Sequence, residues 1–261
     1  MKGLRIAFSF LTVIPVPGDH REISAKEAGR SSVFFPVVGC VQGTLLYLAY
    51  LLLMKIFPHD LSVGLLIVLH VFVNGGFHLD GLSDTADAIA SRADRERMLE
   101  IMKNSTSGPV GIVVIVLVLL IKYLALKNVL LLDMQKAIPL VMFPVMGKWA
   151  SVLSMYQGRS ASGDGLGKMF IDNTGFIEMA LSSFIVMMIV LTVMLAGYGQ
   201  TADVHQVSLF LVPLGVIWFS SIIFVLYFRR KFKGMTGDTI GAVIEASEVL
   251  FLLGMLAVYT K

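Results

Sequence analysis

Seven stretches of this chain are long enough, or nearly so, to cross about 30 Å of hydrocarbon. They run Val33–Met54, Leu61–His78, Gly111–Leu126, Ala137–Tyr156, Phe176–Ala196, Val207–Phe228 and Thr239–Tyr259. Inside a bilayer every backbone N–H and C=O must find its partner within the segment, so each stretch is read as a helix. The fold class is therefore all-α, a polytopic membrane bundle of about seven transmembrane helices. Composition agrees: 56% of residues are hydrophobic, 15% are charged, and the mean hydropathy is +0.82, beyond what an ordinary soluble core can bury. No long linker, low-complexity tract or internal repeat divides the 261 residues. Residues 1–261 are read as a single integral-membrane domain.

The N-terminal segment resembles a signal peptide without being one. Lys2 and Arg5 precede the apolar stretch Ile6–Ile14, but Pro15-Val16-Pro17 follows where a small-residue cleavage site would stand. The stretch is too short to span and is expected to be an interfacial or re-entrant helix. The single cysteine, Cys40, excludes an intrachain disulfide. Placing the N-terminus on one side puts 15 Lys and Arg residues on that side and four on the other. The positive-inside bias makes the first side cytoplasmic, and every polar motif of the chain then falls there.

The most informative of these motifs is GGFHLDGLSDTAD, residues 75–87. Asp80, Asp84 and Asp87 stand at i, i+4 and i+7, so on a helix they fall within roughly 60° of one another. Like charges on one face repel, and carboxylates beside hydrocarbon lose hydration. A divalent cation, alone or bound with a phosphorylated substrate, relieves both costs. Arg92, Arg95, Arg97 and Lys103 follow closely, and Asn104-Ser105-Thr106-Ser107-Gly108 reads as a polar turn. A metal-binding face beside several cations suits a diphosphate ester.

A second acidic stripe lies in TGDTIGAVIEASE, residues 236–248, where Asp238, Glu245 and Glu248 share a face. The two glutamates lie inside an apolar run, which marks them as functional candidates unless they pair with Lys148. Lys148 is itself expected in the bundle interior, facing either Glu245 or a substrate phosphate. His78 lies about 160° around a helix from Asp80 and joins the aspartate face only if the backbone is irregular at Gly75-Gly76. His70, two turns deeper, reads as a hydrogen-bonded packing residue. Gly39 and Gly43 form a GxxxG pattern, a close helix contact.

GGFHLDGLSDTADAI, RMLEIMKNSTSGPVG, GLG at 165–167 and TGDTIGAVIEASE, with FLTVIPVP and FFPVVG near the N-terminus, together resemble the adenosylcobinamide-GDP ribazoletransferase (cobalamin synthase) family. The resemblance spans almost the whole chain, with the motifs in order. It implies an enzyme of the bacterial cell inner membrane that joins adenosylcobinamide-GDP to α-ribazole or α-ribazole 5′-phosphate and releases GMP, with Mg2+ as cofactor. Asp80, Asp84 and Asp87, with Asp238 and Glu245, would hold the metal, and Asp84, Asp87 or His78 would take the proton from the attacking hydroxyl. Arg92, Arg95, Lys103, Asn104, Ser105, Lys148, Thr236 and Gly237 would bind substrate, with Arg95 and Lys148 on the departing GMP phosphate. Asn104 departs from the acidic residue common at that position in the family. The lipid bilayer is the expected surrounding, a homo-oligomer is compatible with the sequence, and no nucleic-acid partner is expected.

Two other classes remain. CDP-alcohol phosphotransferases also carry Asp-rich Mg2+ sites on membrane helices, but their signature places an Arg that DGLSDTAD lacks. An ion-coupled transporter would use Glu245, Glu248 and Lys148 as relays, yet would concentrate its polar residues near the bilayer midplane rather than at one end.

Overall fold

A computed structural model describes residues 2–17, 23–103, 106–132, 137–161, 165–199 and 203–260. Asn104 and Ser105, two of the expected substrate-binding residues, lie outside the described residues, as do Arg21, Lys136 and Lys261 from the charge count. The described chain is built from helices: α1 (Lys2–Leu11), α2 (Ala25–Ser31), α3 (Phe35–Leu53), α4 (His59–Val73), α5 (Phe77–Ala90), α6 (Arg95–Lys103), α7 (Pro109–Leu132), α8 (Ile138–Gln157), α9 (Leu166–Ile171), α10 (Phe176–Tyr198), α11 (Val204–Phe232) and α12 (Gly237–Tyr259). A single 3₁₀ turn at Ser32–Phe34 joins α2 to α3. The only β pairing among the described residues is one isolated parallel bridge between Ser160 and Met235.

Six helical segments are long and apolar enough to cross a membrane: α2 with α3, then α7, α8, α10, α11 and α12. The seventh expected span is broken. Leu61–His78 is expected as one span, but α4 ends at Val73 and α5 leaves it at an angle of 86°. Gly75 and Gly76 cause the break, with φ of 64° and 72°, a left-handed backbone open to glycine at little cost. Several other boundaries also shift outward; α7 runs six residues beyond the expected Leu126.

Helix α8 forms the centre of the bundle. Every side chain from Met142 to Met155 is buried, whereas α7 and α10 turn Val116, Leu120, Phe184 and Leu191 outward, as lipid-facing helices do. The Gly39–Gly43 pattern makes the expected close contact, and α8 is its partner. A Cβ on Gly39 would lie 2.7 Å from Pro144 O, and one on Gly43 would lie 2.7 Å from Leu140 O. Leu140 O is the carbonyl that Pro144, having no N–H, leaves unpaired inside α8. The bare α3 backbone can approach that carbonyl closely enough for a Cα–H···O contact. Helix α1 packs at the N-terminal side of the bundle, burying Ile6, Ala7 and Leu11 and stacking Phe10 on Phe170 at 4.0 Å.

Because a side chain at position 43 would meet backbone rather than a movable side chain, Gly43→Val should force α3 and α8 apart. The expected loss is about 1–3 kcal/mol, the usual cost of overpacking, read as a lower unfolding temperature in detergent. Wild-type stability in this variant would show that the two helices do not meet at Gly43.

Candidate active site

The break between α4 and α5 aims the aspartates. Helix α5 packs antiparallel on the start of α12, with almost no gap between backbones. A Cβ on Gly81 would lie 2.8 Å from Asp238 Cα, and one on Gly241 would lie 3.1 Å from His78 Cα. These two glycines bring Asp238 beside the aspartate face, so that the charges of Asp80, Asp238 and Asp87 all act on Asp84. Asp80 is exposed and Asp84, Asp87 and Asp238 are half-buried. Among the described residues no three His, Cys, Asp or Glu side chains converge into a complete metal cage. An oxygen-only set that is open to water instead suits a hard cation shared with a phosphate, since Mg2+ commonly binds through one or two carboxylates plus substrate oxygens.

Asp87 plays a different part from its neighbours. Its Oδ2 accepts the Gly108 N–H at 2.6 Å and its Oδ1 accepts the Gly111 N–H at 2.8 Å. Both oxygens therefore cap the start of α7, where Pro109 opens the helix and the dipole favours a negative charge. A Cβ on Gly108 would come within 2.7 Å of the Asp87 carboxyl carbon, so the loop must be glycine to deliver its N–H groups. Asp87 anchors α5 to α7 at the edge of the site.

Beside Asp238 opens a cleft of about 330 Å3. Arg95, Lys103 and Lys168 line it with Thr236, Gly237 and Gly167. The Gly167 and Gly237 backbones form a close contact, since a Cβ on Gly167 would lie 2.8 Å from Gly237 N. The Thr236 side chain caps α12, its Oγ1 accepting the Thr239 N–H at 3.2 Å, and the positive end of α12 is thereby presented to the cleft. Arg95 is held firmly: Nε donates to Phe232 O at 2.8 Å and Nη2 to Ala161 O at 3.0 Å. Three cations and a helix N-terminus beside an acidic mouth can bind one phosphate of a diphosphate while the mouth receives the other.

Four expected site residues stand elsewhere. Glu245 does not join the aspartates: its Oε2 accepts from Lys122 Nζ at 2.6 Å deep in the bundle. Lys148 is fully buried and pairs with Glu248, Nζ to Oε1 3.5 Å, rather than with Glu245 or the cleft. His78 is buried on the opposite side of α5 from the aspartates, with its Nδ1 3.5 Å from Lys148 Nζ. Arg92 is exposed at the turn between α5 and α6, with φ of 52°, and lines no part of the cleft. The common reason for the first three is the bilayer: a charge at that depth turns to a buried counter-charge rather than to water.

Together these groups form a buried network that the sequence reading did not assemble. Lys122 bridges Glu245 and Glu248 (2.6 and 2.7 Å), and His70 Nε2 is 2.9 Å from the same Glu248 oxygen. Lys148 reaches Asn74 Oδ1 at 3.3 Å, which also accepts from Gln42 Nε2 at 2.9 Å. The missed residue is Lys122, and its signal was plain: a lysine inside an apolar run requires a partner. Lys168 was missed too, although it directly follows the Gly165–Gly167 motif.

A family profile described as cobalamin-5-phosphate synthase matches residues 3–256. A protein of Geotalea daltonii named adenosylcobinamide-GDP ribazoletransferase is 37% identical over 253 residues, covering 97% of this chain and 96% of the relative. Proteins of the same name from Clostridium acetobutylicum (33% identical, 98% and 96% covered) and Thermodesulfovibrio yellowstonii (34% identical, 96% and 94% covered) are also similar. No solved structure matches.

The network makes a prediction about charge balance. Lys122→Met leaves Glu245 without its partner and two buried carboxylates against one buried lysine, and should destabilise the protein by about 3–5 kcal/mol. Adding Glu245→Gln restores the balance, so the double variant should unfold in detergent at a higher temperature than Lys122→Met. A double variant no more stable than the single one would mean that Lys122 and Glu245 are not partners.

Proposed function

The chain belongs to the cobalamin-5-phosphate synthase family, and we propose that it is the transferase that joins adenosylcobinamide-GDP to α-ribazole, or to α-ribazole 5′-phosphate, with release of GMP. The observation that carries this reading is the junction of an acidic mouth (Asp80, Asp84, Asp238) with a cationic cleft (Arg95, Lys103, Lys168) at the capped N-terminus of α12. A diphosphate needs both: carboxylates on one side to share a cation, and positive charge on the other to receive the leaving phosphate.

In the reaction a ribose hydroxyl oxygen attacks the phosphorus that carries the cobinamide. The bond from that phosphorus to the bridging oxygen breaks, and GMP leaves with the oxygen and its electron pair. Such a transfer asks the protein for positioning and charge neutralisation more than for covalent help. Mg2+, when bound with the diphosphate at Asp80, Asp84 and Asp238, supplies neutralisation of phosphate charge. Asp84, central among the carboxylates, accepts the hydroxyl proton. Arg95, fixed by its two backbone carbonyls, presents its charge to the cleft together with Lys103, Lys168 and the first N–H groups of α12, where the GMP phosphate is held. Asp87 holds α5 at the angle this arrangement requires.

Purified protein in detergent, given adenosylcobinamide-GDP, α-ribazole and Mg2+, should release GMP, and EDTA should stop it. Asp84→Asn should cut the rate at least about a hundredfold with an unchanged unfolding temperature. Asp87→Asn turns an amide NH2 toward a backbone N–H and should lower both rate and stability. Absence of GMP release would remove this reading, and an Asp84→Asn variant near wild-type rate would move the chemistry off the mouth.

On the 15-to-4 distribution of Lys and Arg, the mouth and cleft face the cytoplasm of a cell whose inner membrane holds the protein. In a Cys40→Ser background, a cysteine placed at 231 should resist an impermeant thiol reagent in intact cells and react after lysis. Labelling in intact cells would invert the topology.

A further inference from the structure

The end of the bundle that carries the mouth has a second polar cavity, of about 480 Å3. One β-bridge divides it from the cleft. Ala161 N–H donates to Met235 O and Met235 N–H donates to Arg159 O, each at 2.8 Å. Ala161 lines the cleft, whereas Arg159 and Met235 line the second cavity. Each cavity thus has its own set of cations, separated by backbone.

Arg159 enters from the end of α8, Arg229 from the last turns of α11, and Lys233 from the turn that follows. Among the described residues no Asp or Glu lines the cavity and none of the three cations has an ion-pair partner. Positive charge at the C-terminus of α11 would by itself only complement the helix dipole. Arg230 and Lys231 meet that need and line neither cavity. Arg159 belongs to a different element and still converges on the same space.

Lys233 provides an independent sign. It occupies the left-handed region, φ 58°, directly after α11, where glycine or asparagine is usual. The glycine of this turn is the next residue, Gly234, where a Cβ would lie 2.6 Å from Arg159 O. A long cationic side chain is therefore kept at a position that disfavours any side chain, and it points to a use for that charge. Val225, one turn before Arg229, and Met235 give the cavity an apolar floor at the place where the α11 apolar run ends. The rim suits a phosphate and the floor suits an apolar body.

We propose that this cavity binds a phosphate ester through Arg159, Arg229 and Lys233, separately from whatever reaction the mouth performs. Two sources offer that chemistry at a membrane boundary: the headgroup of an anionic phospholipid and a soluble phosphate. The protein would be placed in nanodiscs of phosphatidylcholine alone or mixed with phosphatidylglycerol. Phosphatidylglycerol retained on the protein is read by native mass spectrometry from the mixed discs, and stabilisation by inorganic phosphate is read as a thermal shift in the pure ones. Arg159→Gln/Arg229→Gln is compared with the charge-matched control Arg230→Gln/Lys231→Gln; all four side chains are exposed, so neither change threatens folding.

For a lipid source, wild type and control retain phosphatidylglycerol at least about tenfold better than the cavity variant. For a soluble source, phosphate stabilises wild type and control but not the cavity variant. Lys233→Gly, which relieves the backbone, should raise the unfolding temperature yet weaken whichever response wild type shows. The proposal fails if wild type shows neither response, if the control loses as much as the cavity variant, if the cavity variant keeps the wild-type response, or if Lys233→Gly leaves it unchanged.

Discussion

A lysine in hydrocarbon without a counter-charge is among the least tolerable things a membrane helix can carry, and the bundle is organised around avoiding that twice. Lys122 on α7 and Lys148 on α8 both turn to α12, where Glu248 accepts from one and faces the other, and Glu245 completes the first pair. His70 on α4 and Asn74 at its end join the same cluster. Breaking any member leaves a buried charge uncompensated, a far larger penalty than the pair gains over apolar packing. The network therefore acts as a constraint on register. It fixes α4, α7 and α8 to one level of α12.

That constraint explains how the bent span can exist. Two consecutive left-handed glycines would ordinarily make a loose joint, yet the α4 side of this joint is held by His70 and Asn74 to groups on α12 and α8. The α5 side is held by the Gly81 and Gly241 crossing and by the Asp87 cap on α7. With both sides tied to α12, the 86° bend is braced from either end. It places the aspartates at the end of the bundle where water and charged substrates can meet them, instead of along a buried helix face.

The sequence made the spans, the shared aspartate face, the Gly39–Gly43 contact and the cations Arg95 and Lys103 legible, because each depends on spacing within one element. Pairing across elements was not. The rule that an intramembrane charge needs a partner placed Lys148 in the bundle interior, but spacing cannot choose between Lys148 and Lys122 as the mate of Glu245, since Lys122 lies 123 residues away and Lys148 nearly as far. Gly75-Gly76 is a point where the backbone can be irregular, yet glycines are also common in membrane helices, so spacing alone does not fix the break. The role of Asp87 was invisible for a similar reason. Its partners, Gly108 and Gly111, show themselves only as a turn before a helix, and nothing local says that the cap for that helix comes from the previous one.

The two ends of α5 also explain why an acidic site and a basic cleft can adjoin without cancelling each other. Asp238 and the cleft share the first turn of α12, so a direct salt bridge from Arg95 to Asp238 would be the simplest way to neutralise both. Arg95 is instead turned to the carbonyls of Phe232 and Ala161, and its other partner is Glu96. Carbonyl oxygens satisfy two of the guanidinium's donors without removing its charge, and Glu96 is solvent-exposed, where an ion pair is weak, so positive charge is kept next to the carboxylates. That separation of charge becomes favourable when a molecule with its own divided charges lies across it. A cation-bearing diphosphate is such a molecule, and the glycine contacts that set α5, α12 and the Gly167 turn against one another hold the two fields at that short separation.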